Sequence, residues 1–173
     1  MATKEGLHLL GENRVQEAVE KIAHADFDAR WELIGHLQSN KAQIAAQYFD
    51  AIQSLDSVKL ANRLNRFSSE LGKTLPVLIQ VNTGNDPGKS GFAVNTTEAA
   101  LESILELSSI KVEGFMTIAP LPADLDTAKA AFSELRSLRD RISQVFGLPL
   151  PSLSMGMSFD LEAAIEAGST CIR

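Results

Sequence analysis

The chain has a single cysteine, Cys171, so no internal disulfide braces it and a reducing compartment is expected. No apolar run approaches the ~20 residues that span a bilayer, and Met1-Ala2-Thr3-Lys4-Glu5 carries no apolar signal core. A cytoplasmic location with no membrane partner is the expectation. Basic residues are in the minority, 16 Lys and Arg against 22 Asp and Glu, and they form no cluster within the net charge of −6. A nucleic-acid partner therefore has no electrostatic footprint. The three histidines, His8, His24 and His36, are scattered with no carboxylate at ligand spacing, which excludes an evident metal site. Linkers, repeats and low-complexity segments are also lacking, and residues 1–173 are expected to form one domain.

What is present is a chain with 45% apolar residues, long enough to bury a real core. Strand-like runs alternate with helical stripes. Leu7 to Leu10, Trp31 to Leu37, Ala51 to Leu55, Pro76 to Asn82, Lys111 to Ala119 and Leu148 to Leu153 read as strands. Thr170 to Arg173 reads as a further strand cut short. Between them lie the stripes Val15, Ala18, Val19, Ile22, then Leu60, Leu64, Phe67, Leu71, and then Ala128, Phe132, Leu135, Leu138, Ile142, Val145. Shorter helices are expected toward Tyr48, over about Thr97 to Leu107, and over Leu161 to Ala167, closed by Gly168. Ser39 or Asn40, Asp56 or Ser57, and Ser158 stand where N-caps belong.

Strands and helices alternating at this spacing argue for parallel β/α units with right-handed crossovers. In such folds ligands sit at the carboxyl ends of the strands. The polar and glycine-bearing loops lie there: Gly11-Glu12-Asn13, Gly35 to Lys41, Ser54, Asn82, Lys89-Ser90-Gly91, Met116-Thr117 and Ser154 to Ser158. The last of these joins a strand, a Gly/Ser turn and a helix start, an arrangement that suits a phosphate. Its plain alternative is a helix cap between two core methionines.

The blocks Gly11-Glu12-Asn13-Arg14-Val15-Gln16-Glu17, Ile34 to Lys41, Lys89-Ser90-Gly91 and Ser154-Met155-Gly156-Met157-Ser158 resemble the signatures of the pyridoxal phosphate homeostasis protein family. The resemblance covers essentially the whole chain. It implies an α/β fold, a parallel TIM-type β/α barrel like the N-terminal domain of alanine racemase. It also implies a non-catalytic role, binding pyridoxal 5′-phosphate (PLP) and balancing vitamin B6 and amino-acid pools. The family is monomeric and takes a small-molecule cofactor as its partner.

Family members begin with a strand of the type Ala-Val-Ser-Lys, whose lysine forms the Schiff base. This chain begins after that strand, and it ends where the family continues with Ile-Gly-Thr. An incomplete barrel is therefore expected, lacking the first strand and most of the eighth, with no Schiff-base lysine, weak or absent PLP binding, and self-association through its edges. By resemblance the cofactor-binding residues are Ser158 at the phosphate with the Phe159 amide beside it, Met157 in the same turn, Arg173 facing the pyridine nitrogen, and Asn13 lining the pocket. No residue is assigned a catalytic role and none a metal. A guanidinium keeps its proton and disfavours a pyridinium, which suits holding the cofactor better than carbanion chemistry. Arg173 also reads as a solvated chain end, Met116, Met155 and Met157 as barrel packing, Lys89 as surface and His36 as a structural histidine. Two alternatives stay open: an alanine racemase-like PLP enzyme and a sugar-phosphate enzyme on a β/α barrel.

Overall fold

The structure, a computed structural model, describes residue 6, residues 8–120 and residues 124–173. The stretch Met1 to Glu5 and the expected strand start at Leu7 lie outside the described residues. Strand β1 spans Leu9–Glu12, β2 Arg30–Leu33, β3 Ala51–Leu55, β4 Leu75–Asn82, β5 Phe92–Ala93, β6 Ile110–Met116 and β7 Ser152–Ser154. Helix α1 spans Val15–Ala23, α2 Ala42–Tyr48, α3 Val58–Glu70, α4 Thr97–Leu105, α5 Leu125–Phe146 and α6 Leu161–Glu166.

The strands are parallel in the order β1-β2-β3-β4-β6-β7, with the two-residue β5 paired to β4 off that path. The result is a parallel six-stranded half-barrel of the expected α/β type. Among the described residues β1 and β7 do not pair, so the ring of hydrogen bonds stays open. The run Thr170 to Arg173 lies alongside β7 with one parallel bridge, Ser154 to Cys171.

Side chains alternate across each strand with period two. Outward residues Leu33, Ile52, Val77, Ile79, Phe115 and Leu153 are buried beneath the helices. Inward residues Arg30, Glu32, Gln53, Leu78 and Ser152 line the lumen. Between Val77 and Leu78 the partner of β4 steps from Val112 to Gly114, a bulge that re-aims a strand locally. Gly114 has φ +154°, and a Cβ there would fall on the Ser152 carbonyl.

The helices seat through their apolar stripes. Leu60 and Leu64 of α3 are fully buried, as are Phe132, Leu135 and Ile142 of α5. Ser57 caps α3, its hydroxyl accepting from the Leu60 amide at 3.2 Å. Several expectations need correction. Leu71 and Val145 end their stripes exposed, at 49% and 61%: Leu71 is the cap residue after α3, and Val145 falls at the edge of the α5 stripe, where the next residue, Phe146, packs on the core instead. Neither Ser39 nor Asn40 caps α2: a 3₁₀ turn over Ser39–Lys41 leads into it, and Lys41 holds the cap position. The run Leu148 to Leu153 pairs only from Ser152, since Pro149 and Pro151 lack the N–H that a ladder needs.

Candidate functional site

Beyond β7 the chain turns sharply. Gly156, at φ +99°, lies against the Ala164 methyl, which leaves no room for a side chain. The turn is closed by Asp160, whose carboxylate accepts from the Met157 amide at 2.6 Å. Asp160 is buried and holds the cap position of α6. The expected cap at Ser158 is thus corrected. The Asp160 carboxylate reaches back to Met157 rather than forward to an amide of α6, so it closes the turn without a side-chain cap bond and leaves Ser158 on the exposed limb.

The C-terminal residues run parallel to this turn. The Met155 amide donates to the Cys171 carbonyl at 3.1 Å, and the Arg173 amide to the Gly156 carbonyl at 3.0 Å. Ser169 fastens the segment, its hydroxyl lying 2.7 Å from the Met155 carbonyl. Arg173 is therefore pinned two residues from Ser158 along the ladder. Its guanidinium enters the lumen, where Nη1 donates to Ser154 Oγ at 2.7 Å and Nη2 to the Thr117 carbonyl at 3.0 Å. Burial lowers its pKa from the usual arginine value, against the opposing fields of Cys171 and Asp160.

The other expected site residues stand apart. Arg173 lines a lumen cavity of 230 Å³ together with Gly11, Glu32 and Gln53. It adjoins a second cavity of 320 Å³ that shares Glu32, Gln53 and Cys171. Ser158 and Phe159 line a groove of 340 Å³ between α5 and α6, beside Lys129 and Glu166, and Phe159 is 71% exposed. Asn13 lines a third space of 240 Å³ with His36, Gln38 and Lys41. Its carbonyl is pressed against Gly35, where a Cβ would meet Asn13 Cα at 2.8 Å. The fold thus brings Met157, Ser158, Phe159 and Arg173 to one corner, where the Arg173 amide bonds the Gly156 carbonyl, and leaves Asn13 in a separate space.

Lys89 is held at that mouth, its Nζ donating to the Ala119 carbonyl, and burial lowers its pKa while Asp86 and Asp160 oppose the shift. His36 Nδ1 lies 3.0 Å from Asp56 Oδ2 and 3.3 Å from Ser90 Oγ. Two lumen residues escape the sequence reading, Glu32 and Gln53, buried to 9% and 3% exposure. Their one signal is a polar side chain inside an apolar strand, as in Ala51-Ile52-Gln53-Ser54-Leu55.

The donor set fits a PLP-like ligand in kind. A guanidinium reaches the lumen, and a serine hydroxyl with no protein partner among the described residues stands on the adjoining turn. A guanidinium suits an unprotonated ring nitrogen, which accepts from it, and a hydroxyl suits a phosphate oxygen.

A family model described as alanine racemase, N-terminal domain, matches residues 1–173. The pyridoxal phosphate homeostasis protein of Aquifex aeolicus is 40% identical over 169 residues, covering 97% of this chain and 74% of the relative. That of Escherichia coli is 34% identical over 177 residues, covering 97% of this chain and 73% of the relative. PipY of Synechococcus elongatus, solved without PLP, aligns with a TM-score of 0.95 at 40% identity, over 99% of this chain and 81% of that one. PipY with PLP bound aligns with a TM-score of 0.92 at 39% identity and the same coverage. An alanine racemase of Clostridium difficile 630, 17% identical, shares the fold with a TM-score of 0.78 over 95% of this chain and 41% of that one.

Proposed function

The chain belongs to the pyridoxal phosphate homeostasis protein family, and on that premise we propose that it binds PLP without catalysing a reaction and serves vitamin B6 and amino-acid homeostasis. The observation that carries this reading is the ladder that sets Arg173 beside the Gly156–Ser158 turn with its guanidinium in the lumen. The relatives are named for homeostasis of the cofactor, and one relative was solved with PLP bound. When bound, PLP supplies a reactive aldehyde, a pyridine nitrogen and a phosphate. Arg173 orients the ring by donating to its nitrogen and keeps that nitrogen free of a proton. Ser158, with the Phe159 amide, binds the phosphate, and Met157 in the same turn borders the ligand, while Asn13 lines a separate space. The cytoplasm is the proposed location, and all the described elements contributing to one core cluster supports a single domain.

Binding by this chain is weak on physical grounds. A charge-assisted hydrogen bond contributes about 1.5–3 kcal/mol, and ordering costs reduce the sum, so a few such bonds give roughly a millimolar dissociation constant. The buried Asp160 carboxylate beside the turn further disfavours an anion. The outer edges of β1 and of the Cys171 segment carry Leu9 and Ile172, each about half exposed, and unpaired edges favour association between copies. Calorimetry with 4′-deoxypyridoxine 5′-phosphate tests the reading, because that probe lacks the aldehyde and cannot react with surface lysines. Roughly millimolar, salt-sensitive binding that Ser158→Ala abolishes is expected, and a separate proton NMR assay in D2O with PLP itself added is expected to show no α-proton exchange in alanine beyond that of free PLP. Unchanged affinity in Ser158→Ala would refute the phosphate assignment, and α-proton exchange would favour the racemase.

A further inference from the structure

Among the described residues, Arg173 presents a guanidinium to the lumen with two neutral acceptors on it, Ser154 Oγ and the Thr117 carbonyl. Behind Ser154 runs a chain of short hydrogen bonds. Ser154 Oγ donates to Gln53 Oε1 at 2.6 Å, although the two residues are 101 positions apart. Gln53 Nε2 donates to Glu32 Oε2 at 2.6 Å, with Cys171 Sγ 3.8 Å away. Glu32 Oε1 accepts from Arg30 Nε at 2.7 Å. Ser154 is fully buried, Gln53 is 3% exposed and Glu32 9%.

The sense of this chain is fixed at both ends. A guanidinium only donates, so Ser154 oxygen must accept from it and send its one proton elsewhere. That proton goes to Gln53 Oε1, which turns the amide nitrogen toward Glu32. An ionised carboxylate only accepts, so it confirms the same orientation. Reversing any member sets donor against donor or acceptor against acceptor between largely buried side chains. Inside a protein such bonds polarise one another, which links the carboxylate charge on β2 to the guanidinium charge two groups away.

We propose that Glu32, Gln53 and Ser154 are positioning residues: they hold the Arg173 guanidinium in one plane so that its remaining donors face a ligand ring nitrogen. This rests on the reading of Arg173 given under Proposed function. The three residues come from β2, β3 and β7, so the half-barrel itself, rather than the flexible arginine stem, sets the orientation. Rigid strands hold a binding group more sharply than loops do.

The test is nitrogen-15 NMR of the arginine side chains, with the Arg173 signals assigned by their loss in Arg173→Lys. A clamped guanidinium rotates slowly about Cζ–Nη and gives separate Nη1 and Nη2 signals. We expect that separation in the unmodified chain and its collapse to an averaged signal both in Gln53→Met and in Glu32→Leu, which removes the acceptor that orients the Gln53 amide. A single averaged Arg173 signal in the unmodified chain would overturn the proposal without any variant. So would separate signals persisting in a folded Gln53→Met protein. A parallel titration with ring-labelled 4′-deoxypyridoxine 5′-phosphate separates this from the functional reading. A ring-nitrogen shift seen in the unmodified chain and lost in Gln53→Met supports positioning, and the same shift in both overturns it. No ring-nitrogen shift in the unmodified chain would overturn both the functional reading and the ligand role, while the guanidinium spectrum still reports the hydrogen-bond chain.

Discussion

Replacing Gly114 with alanine tests whether the bulge in β6 sets the place of β7 and, through it, of Ser154. Gly114 has φ +154°, a backbone conformation that L side chains rarely adopt. Holding a side chain there costs of order 1–3 kcal/mol. The new methyl would also fall on the Ser152 carbonyl, with the carbonyl carbon at 2.7 Å and Ser152 Cα at 3.0 Å. These are backbone atoms of the paired strand, so no side-chain rotation relieves the clash. Overpacking of this kind adds typically about 1–3 kcal/mol. The expected total is about 4 kcal/mol, a large part of the roughly 5–15 kcal/mol that stabilises a folded domain. With a urea slope of about 2 kcal/mol per molar, the unfolding midpoint falls by about 2 M. Gly72→Ala is the control, because Gly72 has φ +65° with nothing within 4 Å of a Cβ. It carries the backbone term alone, about 1–2 kcal/mol, and lowers the midpoint by about 0.5–1 M. Urea titration by circular dichroism compares the two. A Gly114→Ala midpoint no lower than that of Gly72→Ala would show that β6 and β7 separate without cost, and the account of the bulge would fail.

Two further outcomes follow from helix ends. Ser57→Ala removes the cap of α3 and lowers stability by about 1 kcal/mol, read by the same urea titration, whereas Ser158→Ala, at a residue that caps nothing, leaves it unchanged. Asp124 caps α5, and its hydrogen bonds from Thr127 lower its carboxyl pKa below the unfolded value of 3.8. That sign places its stabilising effect above about pH 3.8 and removes it as the pH falls through the lower, folded value. Thermal melts of the unmodified chain and Asp124→Asn should therefore converge below that range, and a constant difference down to the acid limit would contradict the cap.

The sequence determined by itself everything that depends on period and on neighbours. Phe132, Leu135 and Ile142 recur on one helical face and are buried on it, and Ala51 to Leu55 is a strand with the bounds its apolar run implies. Ser57 precedes an apolar stripe and caps it. The four signature blocks were legible because each is a contiguous string, which is how the family could be read before any fold was known. Tertiary structure decided what depends on which groups meet across the chain. Val145 continues the stripe of α5 yet is exposed, because at the helix end Phe146 rather than Val145 meets the core. Ser158 reads as the cap of α6, and only the geometry of the turn puts Asp160 in that position, with its carboxylate on the Met157 amide. Asn13 and Arg173 belong to one set by resemblance but line separate cavities. Glu32, Gln53 and Ser154 carry no local pattern that joins them, since nothing in a strand's period says which polar side chain waits on the strand beside it. Their chain to Arg173 exists because the parallel order β2-β3-β4-β6-β7 curves back toward itself and closes a distance of 101 residues to 2.6 Å.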